Sequence, residues 1–207
     1  MSAPVSVPKF ILPGKWGAID LTSEASARRT VRQLVERVGG RREEDAPLRA
    51  SLRSQLQDAA DVARGGGAVR LFIGLELTDG FPLSATLAVF LPAIDTSALE
   101  REGVDLTALL ERFAPAGDEN SRNETFGKGE IKAVRRTGRK VSPATEERPE
   151  AELIQADYWL AAADPYRFAM LSFTSTYVVY ENDMIDLFDA IVQTTRWKAP
   201  SPQPVAS

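Results

Sequence analysis

Residues 68–77 alternate strictly between two sets of side chains. Val69, Leu71, Ile73, Leu75 and Leu77 fall on one side, and Ala68, Arg70, Phe72, Gly74 and Glu76 on the other. That is the period of two that a strand produces and a helix cannot. Thr78-Asp79-Gly80 is a turn signal, and residues 84–91 return as a second strand, so the pair reads as an antiparallel hairpin. Any fold built around such a hairpin must cover its apolar side.

The cover is expected from helices. Thr22 or Ser23 can cap a helix running to Val38, on which Val31, Leu34, Val35 and Val38 form one stripe, and Gly39-Gly40 ends it. A second helix starts near Pro47, with Asp45 as its cap, and carries Leu48, Leu52, Leu56, Ala59, Ala60 and Ala63 on one face; Gly65-Gly66-Gly67 stops it. Before these, residues 10–12 and 16–21 read as two short extended pieces around Pro13-Gly14.

Beyond the hairpin, Asp95 opens a short turn, and Asp105 a helix bearing Leu106, Leu109, Leu110 and Phe113. Residues 118–127 read as a polar loop, 129–136 as a third strand, and 137–150 as a long exposed loop. Residues 152–162 and 167–175 read as two more strands. Glu181-Asn182-Asp183 then opens a last helix with Met184, Ile185, Leu187, Phe188, Ile191 and Val192 on its apolar face. Short turns between sequential strands argue an antiparallel sheet, and the helices must bury their stripes against it. The expected class is therefore α+β: an antiparallel sheet of about five to six strands packed by amphipathic helices. Residues 9–197 are expected to form a single domain, between proline-rich tails at 1–8 and 198–207 expected to be poorly ordered.

Composition narrows the function. The 207 residues include no histidine and no cysteine. That removes the commonest general base, the commonest metal ligand, the thiol nucleophile and every Cys/His zinc site. A net charge of −4 gives no overall pull toward nucleic acid or an anionic membrane. No apolar run approaches the roughly 20 residues of a membrane helix, and the first residues do not read as a secretory signal, so a cytoplasmic location is expected. No cofactor is expected, and neither a nucleic-acid nor a membrane partner. The Gly65–Gly67 run follows a helix and precedes a strand, the reverse of a phosphate-cradling loop, and reads as a connector.

Four groups of residues are candidates for binding. Asp157 faces the same way as Gln155 and Trp159; that polar and aromatic face lines a ligand groove, or is an exposed strand face, or holds a buried carboxylate satisfied by a neighbouring arginine. Tyr158 and Trp159 together are candidate contacts, as is the Tyr177-Val178-Val179-Tyr180 segment, apolar for a connection. The basic stretch 128–140, with Arg135, Arg136 and Arg139, is either a docking surface for an acidic partner or a solvated hairpin screened by the acids that follow. Glu181, Asp183, Asp186 and Asp189 suit a helix start and its solvent face better than a cation site.

The strand pair 153–160 and 168–174, the amphipathic helix ending in Thr195-Arg196-Trp197, and the Trp16-to-Leu21 segment together resemble the PsbP-like superfamily. That superfamily includes a photosystem II subunit, a Ran-binding import factor, bacterial DcrB-like proteins and actinobacterial proteins sharing the terminal Arg-Trp. The resemblance implies a non-enzymatic accessory or adaptor role through a protein partner, chaperone-like toward a secreted or toxic effector. A small-molecule or lipid binder with a cavity between sheet and helices is the alternative.

Overall fold

Each helix is set by its ends. A computed structural model describes residues 7–40, 42–92, 108, 110–111, 121–128, 131–142, 150–163 and 166–197. Helix α1 (Glu24–Val38) begins where Ser23, in extended backbone, accepts the Ser26 N–H on its hydroxyl at 3.1 Å, and it closes at Gly39. Ser23→Ala removes that acceptor and is expected to lower stability by about 1 kcal/mol in a urea titration. Helix α2 (Ala46–Gly65) carries Pro47 in its first turn, where the missing N–H costs nothing. Asp45 precedes it but does not cap it. Its carboxylate accepts the Arg42 N–H at 3.2 Å instead, within a short 3₁₀ turn at Glu43–Asp45. Leu56 and Ala60 are the buried members of the expected stripe, while Leu48, one turn in, overhangs the domain and is exposed.

The strands are β1 (Lys15–Asp20), β2 (Ala68–Thr78), β3 (Phe81–Pro82), β4 (Ala85–Phe90), β5 (Ser121–Lys128), β6 (Ile131–Ser142), β7 (Ala151–Ala163) and β8 (Tyr166–Ser175). They form one antiparallel sheet in the order β1-β2-β4-β8-β7-β6-β5, with β3 paired to β2. The class is α+β, as the patterning implies, and among the described residues the path has seven strands, close to the five to six expected. The reading of 118–127 as a polar loop is corrected: from Ser121 the chain is β5, paired along its length with β6. Residues 137–142, read as loop, continue β6 against β7. Conversely, residues 10–12 are not a strand. They form a strap, Phe10 lying edge-on to Phe72 with centroids 5.5 Å apart, held by paired backbone bonds between Lys9 and Arg196.

The turn from this strap into β1 needs a glycine. Gly14 has φ +78°, and a Cβ there would sit 2.2 Å from the Glu76 carbonyl oxygen.

Both faces of the sheet are covered, by different elements. On one face, helix α3 (Glu181–Gln193) buries Met184, Phe188, Ile191 and Val192 over Leu87, Val89, Ile154, Tyr158, Leu171 and Phe173, with the strap alongside. On the other, α1 and α2 cover β1, β2 and β4 through Ile19, Leu71, Ile73 and Ala88. Strand β2 serves both cores: by alternation Phe72 packs on the α3 side between Leu71 and Ile73 on the other, and breaks in the alternation move further residues across. Register shifts at Ala68/Arg70 and opposite Lys15/Trp16 turn Val69 and Leu77 toward the α3 side, while Leu71, Ile73 and Leu75 stay on the α1/α2 side.

Of the helix expected from Asp105, Ala108, Leu110 and Glu111 are described and helical. Leu110 is buried, and Glu111 accepts from the Thr125 hydroxyl of β5 at 3.3 Å. The Asp95 turn and both proline-rich tails lie outside the described residues, except that Val7 packs on the α3 core and Pro8 is buried.

Candidate functional site

Period two separates Tyr158 from Trp159. Tyr158 points under α3, is fully buried, and meets Phe173 edge-on at 5.5 Å. Its hydroxyl donates to Asp189 Oδ1 at 2.8 Å, while Arg135 donates to the other oxygen of the same carboxylate. Burial, joined by the Asp189 charge, pushes the Tyr158 phenol far above its ordinary range, with Arg135 opposing. Tyr158 is thus a core residue with no surface to offer a partner, contrary to its pairing with Trp159 as a contact. A buried Tyr whose O–H finds a carboxylate is the ordinary way to place a phenol in a core.

The other arginines of β6 also have acidic neighbours. Arg139 donates to Glu181 at 2.7 Å and to Glu152 at 3.3 Å, joining the strand to the start of α3 and to β7. Arg136 reaches Asp157 at 3.4 Å and lies 5.7 Å from the Trp159 ring centroid. The described part of the basic stretch is therefore a strand bonded on both sides, its three arginines facing carboxylates of the same chain. Of the helix acids, Glu181 and Asp189 serve as ion-pair partners. Among the described residues no group of three His, Cys, Asp or Glu is placed to hold a metal, and no helix is long and apolar enough to cross a membrane.

Asp157 lies on the face opposite Tyr158, as its spacing from Gln155 and Trp159 implies. It is buried to 2% exposure and accepts from Ser172 Oγ at 2.6 Å, Gln155 Nε2 at 2.7 Å and Arg136. This face is not an exposed strand face at Asp157. The carboxylate is satisfied internally, and beside it a pocket of about 510 Å³ opens against Phe90, Leu91, Pro92, Leu110, Trp159 and Met170. Gly66 and Gly67, at the end of α2, form the far wall.

A second candidate surface sits at the opposite end of the strands. Val178–Tyr180 form a 3₁₀ turn. Tyr177 contacts Phe81 and Tyr180 edge-on at 6.3 and 6.5 Å, and its hydroxyl donates to the Pro82 carbonyl at 2.8 Å. The Tyr177 N–H donates to Ser175 Oγ, which in turn donates to the Ser84 carbonyl. On this pinned base, Val179, Tyr180 and Phe81 are 86%, 57% and 49% exposed. Sequence reasoning found Tyr177 and Tyr180. It missed Phe81, which reaches them across 96 residues through β2–β3 pairing, a contact with no local signal.

No protein-family model, curated protein or solved structure matches this chain.

Proposed function

We propose that this protein is a non-enzymatic accessory or adaptor protein that docks another protein on the patch formed by Phe81, Tyr177, Val179 and Tyr180. The observation that carries this reading is the exposure of Val179 and Tyr180 on a turn fixed by hydrogen bonds, with exposed Phe81 of β3 beside them. Interface hot spots favour such aromatic groups, and holding them rigid in the free protein reduces the ordering cost of association. The resemblance to PsbP-like accessory proteins extends the reading to a chaperone-like role toward an effector.

The test is capture from cells of the native host on immobilised protein, with Val179→Asp/Tyr180→Ser as the paired variant. Both residues project into solvent, so stability is expected to change by no more than about 0.5 kcal/mol. A stoichiometric partner should be retained by the wild-type chain and bind the variant about 30-fold more weakly, the equivalent of one hot-spot residue. Equal retention by the variant, or no stoichiometric partner, would refute the reading.

The pocket beside Trp159 favours a second reading, a small-molecule or lipid binder. Its volume falls within the roughly 300–1,000 Å³ of ordinary ligand sites, and its described walls are mostly apolar.

A further inference from the structure

Helices α1 and α2 leave a groove of about 580 Å³ between them. Val31 is its buried floor, and Arg28, Arg32 and Arg53 line it against one acid, Asp58, among the described residues. Arg49 lies against Gly39, where an added Cβ would stand 2.7 Å from the Arg49 Cγ. From that point the two helices run antiparallel with the same rise per residue. Arg32, two turns back along α1, therefore comes level with the stretch between Arg53 and Gln57 on α2.

Their bonds divide the arginines of these helices into two sets. Arg28 and Arg64 pair with Glu24 and Asp61, and Arg29, Arg37 and Arg49 donate to hydroxyl or carbonyl oxygens. Arg32 and Arg53 have no hydrogen bond or ion pair, although Asp58 shares the groove and Glu36 stands one turn beyond Arg32. Two guanidinium groups thus share one groove with no acid bridging them, an arrangement that costs free energy until an anion enters. Ser54, in the same lining, adds a hydroxyl donor.

We infer that this groove binds the phosphoryl group of a small phosphorylated ligand, with Arg32 and Arg53 holding its oxygens and Ser54 donating to it. The planar fork of a guanidinium matches phosphate with paired N–H donors. The groove's volume suits a small ligand. Asp58 opposes the anion and limits its affinity.

Amide chemical-shift titrations of the full chain with inorganic phosphate and glycerol 3-phosphate, against sodium chloride at matched ionic strength, test this. Both phosphates should give saturable shifts centred on residues 28–32 and 53–58, with a Kd on the order of 1 mM, and chloride should give none. Arg32→Gln/Arg53→Gln should weaken binding about tenfold. Arg37→Gln/Arg64→Gln removes the same charge outside the groove and should change binding by less than about twofold. Asp58→Asn should tighten it about threefold. The substituted side chains lie on the helix surfaces, and the spectrum of each variant reports its fold. Equal weakening in the two double variants would show diffuse attraction to a basic surface and overturn the site. Shifts that chloride reproduces, or an unchanged affinity in Asp58→Asn, would overturn it too. Sedimentation with phosphatidic acid vesicles separates a lipid headgroup from a soluble ester: arginine-dependent capture on vesicles, with no shift from glycerol 3-phosphate, would overturn the soluble ligand. The groove shares no lining residue with the pocket beside Trp159 or with the Tyr177–Tyr180 patch, so both readings above stand apart from these results.

Discussion

Replacing Phe188 by alanine should lower the unfolding free energy by about 3–5 kcal/mol, seen as a large drop in the denaturant midpoint at unchanged slope. Phe188 is fully buried and stacks on Phe173 with centroids 4.5 Å apart and ring planes 22° from parallel; Phe173 in turn meets Tyr158. The substitution empties the middle of the only described helix on that face, and the strands beneath cannot collapse into the space without breaking their register. Against a total stability of about 5–15 kcal/mol for a domain, this is enough to populate unfolded chains at room temperature in the lower part of that range. Phe188→Leu, which keeps most of the volume, should cost less than about half as much. A loss near 1 kcal/mol for the alanine variant would mean that α3 does not hold this core together.

The second large effect is a steep alkaline limb. Unfolded, the Tyr158 phenol titrates near its ordinary value of 10.0; folded, burial and the neighbouring Asp189 carboxylate hold the proton on to much higher pH. Below pH 10 both states carry the proton, and the contribution of the group to stability is complete. Above pH 10 the unfolded chain releases it while the native state does not, so stability falls as pH rises toward the folded value. The slope from this one group rises to about 1.4 kcal/mol per pH unit, which gives roughly 2.3 kcal/mol between pH 10 and 12. Tyr158→Phe removes the proton and should flatten the limb by that slope, after an initial loss of about 1 kcal/mol at neutral pH for the hydrogen bond. Denaturation curves at half-unit steps from pH 8 to 12 measure both. Parallel limbs in the two proteins would show that the phenol is not sealed.

The elements legible in the sequence were those whose signals are local. Ser23 and Gly39 bound α1 because a cap and a stop act on their own turn. The 68–77 alternation named β2, though not its register shifts, which arise in its pairing with β1, β3 and β4. Strands β5 and the second half of β6 were hidden by composition. Arg139 and Lys140 look like a solvated loop until Glu152 and Glu181 are brought beside Arg139, the latter 42 residues away. The same limit applied to the candidate sites. Spacing put Asp157 and Trp159 on one face, whereas the depth of Tyr158 depended on a helix beginning 23 residues later.

The position of β4 has a consequence for how the chain is made. Its inner neighbour is β8, the last of the described strands in chain order, so a ribosome that has finished β1 to β4 has built a sheet with one bare inner edge. On that edge Leu87 and Val89, wholly buried in the finished protein, face water until β8 emerges about 4–15 seconds later at roughly 5–20 residues per second. An unpaired apolar strand is a template for another chain. The nascent protein therefore passes through an obligatory interval of aggregation risk, and the arrival of its last strand and helix ends it.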